Sequence, residues 1–429
     1  MLSCGVDIGS TNVKVVLADA AGHSRWTSSV ASPRRHDGIG IATDATALVN
    51  LIEDMIIEGW RAVGGGKPLA AIAAAGVGED GVCVDDAMAP LGLAIPWFDK
   101  RALVDKTEFA AAFNLTRVDF YTTATKWMWL RRHRESEITA ASRWIALTDY
   151  ASSLWCGEAF MSETLAARTG CYEVFARRWV EDALVFCTAP PLPRVLKAGD
   201  TAGTLRQGRL RQAGAADALT LIVAGGHDHP IAASAIQRID ARARIDSIGT
   251  ANAIYGETQA SAPDLDGSNL EASVPARGGP GIALIGVTEF SATLLDSFGG
   301  EVVVRKYISQ PSLSNGNDET AQLRHLLEDM ALRAKLYLAA LDRAGVSQGP
   351  LFATGGWSRS HALVELRASV IGQAITVVDE PELVGLGAAL LATEATIGVP
   401  ANFQPGNGLH VIDPVADWTT TGKFARDIA

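Results

Sequence analysis

The sequence has few of the features that mark secreted, membrane or metal-clustering proteins. Its five cysteines are odd in number and scattered, and none forms a CxxC pair. Disulfide frameworks and structural zinc sites need paired spacing, so reduced thiols are expected. No stretch approaches the roughly 20 apolar residues of a membrane span. The first residues, MLSCGVDIGS, also lack the basic start and apolar run of a signal peptide. We therefore expect a cytoplasmic protein.

Positively charged residues are also fewer than negatively charged ones. The chain has 37 Lys and Arg against 48 Asp and Glu, a net charge of −11. A surface this acidic repels nucleic-acid backbones and anionic lipid heads, so neither nucleic acid nor membrane is expected as a partner. Hydrophobic residues make up 48% and charged residues 20%, the balance of an ordinary globular protein. At 429 residues the chain is longer than one hydrophobic core usually supports, which predicts two domains.

Predicted strands alternate with predicted helices along the chain, which indicates an α/β fold. A strand at residues 2–8, a polar turn and a returning strand open the sequence. Apolar residues spaced at three and four then predict a helix from about 38 to 63. A similar strand–turn–strand pattern recurs at 243–258. We therefore expect two domains, residues 1–240 and 241–429.

The first candidate phosphate site is the turn DIGSTNVK at residues 7–14. Glycine lets backbone N–H groups approach an anion closely, while Ser10 and Thr11 add hydroxyl donors and Lys14 adds positive charge. Asp7 ends the predicted strand, where a carboxylate can hold magnesium directly or through water. A plain hairpin without a ligand is the alternative interpretation.

Two further glycine segments favour nucleotide binding in the second half of the chain. Gly249 and Thr250 form a second candidate phosphate turn, and two such turns facing across a cleft would clamp a triphosphate. The segment TGGWSRS at residues 354–360 carries Gly355 and Gly356 at a predicted strand end. Glycines there let a flat ligand such as adenine lie against the backbone.

The run GGHDH at residues 225–229 directly follows a predicted buried strand. Asp228, freed by the glycines, is well placed to accept the proton of an attacking hydroxyl, which is help that phosphoryl transfer can use. Two alternatives stay open for His227 and His229. They are ligands of a metal, since residues i and i+2 on a strand share a face, or surface histidines without a role.

Two polar segments in the first half suit the recognition of sugar hydroxyls, GEDG at 78–81 and WFDKR at 97–101. Sugar recognition uses carboxylates that accept hydroxyl protons, an aromatic ring against the C–H face, and an arginine that orients them. The candidate residues are Glu79, Asp80, Trp97, Asp99 and Arg101. A solvated acidic loop is the alternative interpretation.

The run GGGK at residues 64–67 is similar to a P-loop only in its letters. Arg61 stands where the first glycine belongs, and Pro68 stands where a Ser or Thr would bind magnesium. The run also follows a predicted helix, whereas a P-loop follows a strand. We reject a Walker-type site at this position.

Taken together and in this order, DIGSTNVK, PWFDKR, GGHDH, SIGT and TGGWSRS resemble the motifs of the FGGY carbohydrate kinases, a branch of the actin/hexokinase ATPase superfamily. The resemblance extends from the first strand to about residue 395. It implies two ribonuclease-H-like domains, with mixed sheets flanked by helices and ATP in the cleft between them. Residues 1–240 would carry the sugar site and the catalytic base, and residues 241–429 would carry the ATP site.

The resemblance also implies roles for individual residues. Asp228 matches the general base, and Asp7 the magnesium-associated carboxylate, with Asp228 as a second candidate ligand of the ion. The phosphate and adenosine positions fall on Ser10, Thr11, Lys14, Gly249, Thr250, Gly355, Gly356 and Ser360. The substrate positions fall on Glu79, Asp80, Trp97, Asp99, Arg101 and Asp228.

The expected activity is transfer of phosphate from ATP, with Mg²⁺, to a hydroxyl group of a small sugar, ketose or sugar alcohol. An ATP-switched binding protein or sugar sensor of the same superfamily is the alternative. The polar set between residues 79 and 101 argues against it, because a pure switch needs no pocket that reads hydroxyl groups. The sequence leaves open the identity of the sugar, the hydroxyl that is phosphorylated, the formation of a homodimer, the effectors, and the role of His227 and His229.

Overall fold

The computed structural model describes residues 1–113, 122–260, 262–298, 300–309, 318–403, 405–416 and 418. The strands are β1 (Leu2–Ile8), β2 (Asn12–Asp19), β3 (Ser24–Ala31), β4 (Arg34–His36), β5 (Ile41–Thr43), β6 (Ala71–Gly76), β7 (Gly81–Val84), β8 (Arg143–Ala146), β9 (Phe160–Ser162), β10 (Tyr172–Glu173), β11 (Arg178–Trp179), β12 (Arg194–Leu196), β13 (Thr201–Thr204), β14 (Leu221–His227), β15 (Arg244–Ile248), β16 (Ala251–Thr258), β17 (Leu270–Ser273), β18 (Ile282–Glu289), β19 (Leu351–Thr354), β20 (Ile375–Val378) and β21 (Leu409–Ile412).

The helices are α1 (Ala45–Ala62), α2 (Leu103–Ala112), α3 (Thr123–His133), α4 (Glu135–Thr139), α5 (Leu147–Cys156), α6 (Glu163–Ala166), α7 (Glu181–Phe186), α8 (Arg209–Gln212), α9 (Asp228–Ile236), α10 (Ser291–Ser297), α11 (Glu301–Ile308), α12 (Asp318–Arg343), α13 (His361–Ile371) and α14 (Leu383–Ile397), with a 3₁₀ turn at Lys100–Ala102. None of these described helices combines the length and apolar character that a membrane crossing requires. All five cysteines are buried free thiols, as expected.

The chain divides into two compact units. The first unit comprises residues 1–238, 273–279 and 382–403, and the second comprises residues 239–272, 280–381 and 404–429. The first break lies next to the expected boundary at residue 240. The chain nevertheless returns to the first unit twice afterwards, which a single boundary does not describe.

The first unit is built on a mixed sheet with the strand order β13–β14–β6–β1–β2–β3. Strand β1 runs antiparallel to β2 and parallel to β6, and β6 runs parallel to β14. The central strand β6 reads AIAAAG and is buried along its whole length, as expected for a strand with both faces covered. Its alternate residues face two cores: Ile72 and Ala74 pack with α1 and α5, while Ala71, Ala73 and Ala75 pack with α14.

The predicted helix at 38–63 begins later than its apolar spacing suggests. Helix α1 starts at Ala45, because Asp44 has extended dihedrals and its side chain accepts a hydrogen bond from Ala47 N at 3.0 Å. This contact caps the helix and satisfies one of its orphan N–H groups. The preceding residues form the short strand β5 instead.

The second unit repeats the topology of the first. Its sheet has the order β17–β18–β16–β15–β19–β20–β21, with β15 antiparallel to β16 and parallel to β19. The repeat suggested by the sequence is thus present, but the two turns differ in length, so their residues do not correspond one to one. Gly9 N bonds Asn12 O, whereas Gly249 N bonds Ala251 O, so the second turn is one residue shorter.

Helix α14 lies against β1 by direct backbone contact. A Cβ atom added at Gly5 would lie 1.8 Å from Gly385 O, so only glycine is possible there without movement of the helix. Residues 385–389 read GLGAA and are buried, and their small side chains let the helix pack closely on the sheet. This contact covers one face of the strand that carries Asp7.

We predict that Gly5→Ala lowers the free energy of unfolding by about 3 kcal/mol, because the new methyl group forces strand and helix apart. Gly66→Ala is the matched control, since a Cβ atom there meets nothing within 4 Å. Its effect should stay within about 0.5 kcal/mol. Chemical denaturation of both variants measures the difference. Equal stabilities would contradict the proposed packing.

Candidate active site

Three parallel strands of the first unit bring the predicted catalytic residues to one edge of the sheet. Ile8 of β1 and His227 of β14 both pair with Gly76 of β6. Residues that follow these strands therefore meet at the same level, where open α/β sheets bind their ligands. Asp7, the pair Glu79–Asp80 and Asp228 all lie at this edge.

The Gly9–Thr11 turn at the end of β1 is closed by backbone and side-chain bonds. Gly9 N donates to Asn12 O at 3.0 Å, and Ser32 Oγ donates to Gly9 O at 2.9 Å. The guanidinium of Arg34 donates to Ser10 O. Thr11 is exposed at the tip and Ser10 is half-buried. The turn thus presents both hydroxyl residues on a fixed backbone.

Lys14 lies between two carboxylates next to this turn. It is the register partner of Asp7, and its Nζ lies 3.8 Å from Asp7 Oδ2 and 2.9 Å from Glu382 Oε2. Burial raises the pKa of Asp7 to about 7; Lys14 opposes this rise, while Asp228 and Glu382 add to it. The mutual repulsion of these carboxyl groups shows that they face a common region.

This acidic region suits a magnesium ion of the kind that nucleotides bring with them. Mg²⁺ keeps several waters and takes one or two carboxylates plus phosphate oxygens. Within the described residues, no three His, Cys, Asp or Glu side chains converge as a ready-made metal site. Asp7 and Asp228 therefore fit a shared, water-assisted ligand set better than a dedicated metal cage.

A bulge at the end of β14 positions Asp228. The register with β6 shifts between Val223 and Gly226. A Cβ atom at Gly225 would lie 1.9 Å from Ala74 O, and one at Gly226, where φ is +146°, would lie 2.0 Å from Thr164 Oγ1. Both positions therefore require glycine.

Asp228 opens helix α9, and two histidines surround its carboxylate. His229 N donates to Asp228 Oδ1 at 2.6 Å, and His227 Nε2 lies 3.2 Å from the same oxygen. Burial alone would raise the pKa of Asp228, but His229, His227 and this hydrogen bond outweigh it and lower the pKa. Burial lowers the pKa of His227 to about 4. Near neutral pH, Asp228 is thus an ionised acceptor beside a neutral imidazole.

The two carboxylates of the GEDG loop each have a basic partner that the sequence did not reveal. Arg168 Nε donates to Glu79 Oε1 at 2.7 Å, and Lys126 Nζ donates to Asp80 Oδ1 at 3.1 Å. Asp80 is only 2% exposed, and burial raises its pKa although Lys126 opposes the rise. The loop is therefore a built polar site and not a solvated acidic loop. A lysine inside the apolar stretch TATKWMWL was the available signal for one partner.

The WFDKR segment separates into an exposed aromatic part and a buried ionic part. Trp97 and Phe98 contact edge to face at 5.7 Å and are 36% and 41% exposed. Arg101 is instead directed to Asp37 at 2.5 Å and Asp99 at 2.7 Å, with 3% of its side chain exposed. The aromatic rings are thus partly exposed, whereas Arg101 and Asp99 bind each other.

In the second unit, a hydrogen-bonded chain joins the Gly249–Thr250 turn to the TGGWSRS segment. Ser291 Oγ donates to Gly249 O at 2.9 Å, and Trp357 Nε1 donates to Ser291 Oγ at 2.9 Å. Trp357 N also donates to Ile248 O at 3.1 Å. A Cβ atom at Gly355, where φ is +92°, would lie 2.5 Å from Ile248 O, so the two segments approach through glycine.

A cavity of about 440 Å³ opens beside this segment. Gly356 and Ser360 line it together with Arg305, whose guanidinium lies 4.7 Å from the centre of the Trp357 ring. Ser360 also caps helix α13 by accepting a hydrogen bond from Leu363 N. The cavity combines glycine backbone, an aromatic ring and cationic side chains, and this combination suits a nucleoside.

Comparison with known protein families identifies the family of this chain. Residues 2–235 match the N-terminal domain of the FGGY family of carbohydrate kinases, and residues 300–396 match its C-terminal domain. The chain belongs to the FGGY family of carbohydrate kinases. The family resemblance predicted from the motifs is confirmed, and so is the assignment of the chain as a carbohydrate kinase. Kinases of the FGGY family use ATP.

Individual FGGY relatives cover almost the whole chain. The xylulose kinase of Streptomyces coelicolor is 25% identical over 97% of this chain and 92% of its own. That of Streptomyces rubiginosus is 26% identical, with 92% and 88% covered. Among solved structures, a xyloylose kinase from Brucella ovis has a TM-score of 0.83 at 20% identity, with 97% and 95% covered. Plasmodium falciparum glycerol kinase with ADP has 0.78 at 15%, with 96% and 94% covered. The two-domain, actin/hexokinase-type fold is confirmed.

We predict that Asp7→Asn changes the pH dependence of stability of the ligand-free kinase. The pKa of Asp7 is about 7 in the folded protein and about 3.9 when unfolded, so the native state binds the proton more tightly. Its stabilising contribution is complete below about pH 4 and is lost as the pH rises to about 7. The asparagine variant lacks this loss and should be more stable at pH 8, by up to about 4 kcal/mol.

Urea denaturation at pH 5 and pH 8, without nucleotide or magnesium, measures this difference. Asp266→Asn, a change of an exposed loop carboxylate, is the control and should follow the wild type at both pH values. Parallel pH profiles for Asp7→Asn and the wild type would show that burial does not disfavour the charged form of Asp7.

Proposed function

We propose that this kinase transfers the γ-phosphoryl group of ATP to a hydroxyl of a small sugar, ketose or sugar alcohol, with Asp228 as general base. The observation that carries the proposal is the position of an ionised Asp228 at the sheet edge that also holds Asp7 and the GEDG loop. The pKa of Asp228 lies below its usual range despite burial, so the carboxylate is ionised near neutral pH. It can therefore accept the hydroxyl proton as the hydroxyl attacks the phosphoryl group.

The sugar site, on this proposal, is formed by Glu79, Asp80 and Trp97 around Asp228. Ion-paired carboxylates hold fixed acceptor positions for adjacent hydroxyl groups, and the exposed aromatic ring offers a face to the C–H side of a sugar. Asp99 and Arg101 take part indirectly, because their mutual ion pair and Asp37 hold the aromatic segment in place.

On the nucleotide side, Ser10, Thr11 and Lys14 of the first unit would bind phosphate. In the second unit, Gly249 and Thr250 would bind phosphate, and Gly355, Gly356 and Ser360 would hold the adenosine. Asp7 and Asp228 would hold Mg²⁺, which neutralises charge on the phosphates. When nucleotide binds, Lys14 would leave Glu382 and contact a phosphate. The new ion pair would replace the one that is lost.

A ketopentose is the substrate class that we test first. The similar proteins named above include two xylulose kinases, each matching nearly the whole chain. The sugar-side residues carry both signs of charge in pairs, Glu79 with Arg168 and Asp80 with Lys126, which suits a neutral polyhydroxyl molecule.

We predict that Asp228→Asn reduces sugar-stimulated ADP release by about 10²–10⁴-fold, since the amide cannot accept the proton. The affinity for ATP, measured by calorimetry, should change little because the phosphate turns are intact. Asp266→Asn serves again as the control and should keep full activity. A variant with wild-type turnover would exclude Asp228 as the base.

The substrate is identified by ADP release with magnesium-ATP across ketoses, aldoses, aldonates and polyols. A ketopentose that stimulates turnover supports the proposal. ATP binding without stimulation by any compound would instead favour a nucleotide-switched binding protein.

A further inference from the structure

Lys126 is a buried cation in an unusual place. It belongs to the first turn of helix α3, and only 1% of its surface is exposed. Cations favour the last turn of a helix, because the helix dipole is positive at its N-terminus. Burial of an ammonium group is costly unless it is paired and fully hydrogen-bonded. A lysine here therefore depends on strong compensating contacts.

The ammonium group of Lys126 has three acceptors for its three N–H donors. Nζ lies 3.0 Å from Glu79 O, 3.1 Å from Asp80 Oδ1 and 2.9 Å from Ile95 O. An ammonium has three donors and no acceptor, so these contacts satisfy it completely. The side chain is thus held in one position by the protein itself.

These acceptors come from two separate segments of the proposed sugar site. Glu79 and Asp80 belong to the GEDG loop, whereas Ile95 directly precedes the residues that carry the exposed aromatic pair. Thr123 Oγ1, from the same helix turn, also donates to Glu79 O at 3.1 Å. One turn of α3 therefore fixes the loop that carries the carboxylates and the start of the aromatic segment.

We propose that Lys126 is a positioning residue that determines the sugar selectivity of this kinase, an inference that rests on the proposed function. The lysine touches no reacting atom. It sets the distance between the Glu79–Asp80 carboxylates and the Trp97 ring, and that distance decides which arrangement of hydroxyl groups fits. Its hydrogen bond to Asp80 Oδ1 at 3.1 Å also holds that buried carboxyl group in a fixed position.

The decisive variant is Lys126→Met, which keeps the length of the side chain and removes the three donors. We expect the sugar KM to rise, and kcat/KM for the best sugar to fall by about 10²-fold, as displacement of substrate-orienting groups does. The KM for ATP should stay within about twofold, and the ratio of kcat/KM between preferred and poor sugars should shrink. A purely structural lysine would not move that ratio.

A second variant separates positioning from stability. Lys126→Met combined with Asp80→Asn leaves no unpaired buried charge, so its stability should exceed that of the single variant. Only the stability of this double variant is compared, because Asp80 itself belongs to the proposed sugar site. Lys335→Met is the control, since Lys335 bonds a single backbone carbonyl, Val370 O at 2.8 Å, in the second unit. It should leave both KM values unchanged.

Lys126→Arg extends the test if the methionine variants do not purify as folded proteins. It keeps the positive charge, but a planar guanidinium cannot reproduce three contacts made by one nitrogen. The same loss of selectivity is expected. Sugar binding by calorimetry is measured alongside turnover.

The two hypotheses fail in different ways. Wild-type protein that binds sugar without sugar-stimulated ADP release contradicts the proposed function. Wild-type protein that turns over, together with a folded Lys126 variant that keeps the wild-type sugar KM and order of preference, contradicts the positioning role of Lys126.

Discussion

Direct backbone contact at glycine is the constraint on which the first unit depends. Three of these approaches lie on the strands that carry the site: Gly5 against α14, Gly225 against β6, and Gly226 against Thr164, with Cβ distances of 1.8, 1.9 and 2.0 Å. Without these approaches, strands β1, β6 and β14 could not end at one level beneath a closely packed helix. The alignment of Asp7 with Asp228 follows from this packing, because each carboxylate has a fixed place on or after its strand.

The charges around the carboxylates at this edge give them three different environments. Glu79 is paired with Arg168, and Asp80 is paired with Lys126. Asp7 lacks such full compensation, and burial raises its pKa, which makes it receptive to an added cation. The pKa of Asp228 is lowered despite burial, and the hydrogen bond from His229 N contributes to this, as suits a group that accepts a proton.

The sequence was sufficient for the parts of the site that are local. Turns, strand ends and glycines lie within a few residues of one another, so Asp7, Lys14, Asp228 and the TGGWSRS segment could be predicted as candidates from their patterns. The partners of these residues were not local. Lys126 lies 46 residues from Asp80, and Arg168 lies 89 residues from Glu79. Asp37, which binds Arg101 from 64 residues away, was missed for the same reason. No spacing rule reports such contacts; they follow only from the packing of helices on the sheet.

The return of residues 382–403 to the first unit has a consequence for how the protein is made. During synthesis the strands of the first sheet emerge roughly 300 residues before helix α14, which covers β1 and β6. Until then an alanine-rich apolar surface stays open to water and to other chains, a condition that favours misassembly. A fragment ending at residue 240 would keep this surface permanently uncovered. The first unit therefore includes residues from beyond the midpoint of the chain, and a cut at the midpoint removes the helix that covers this surface.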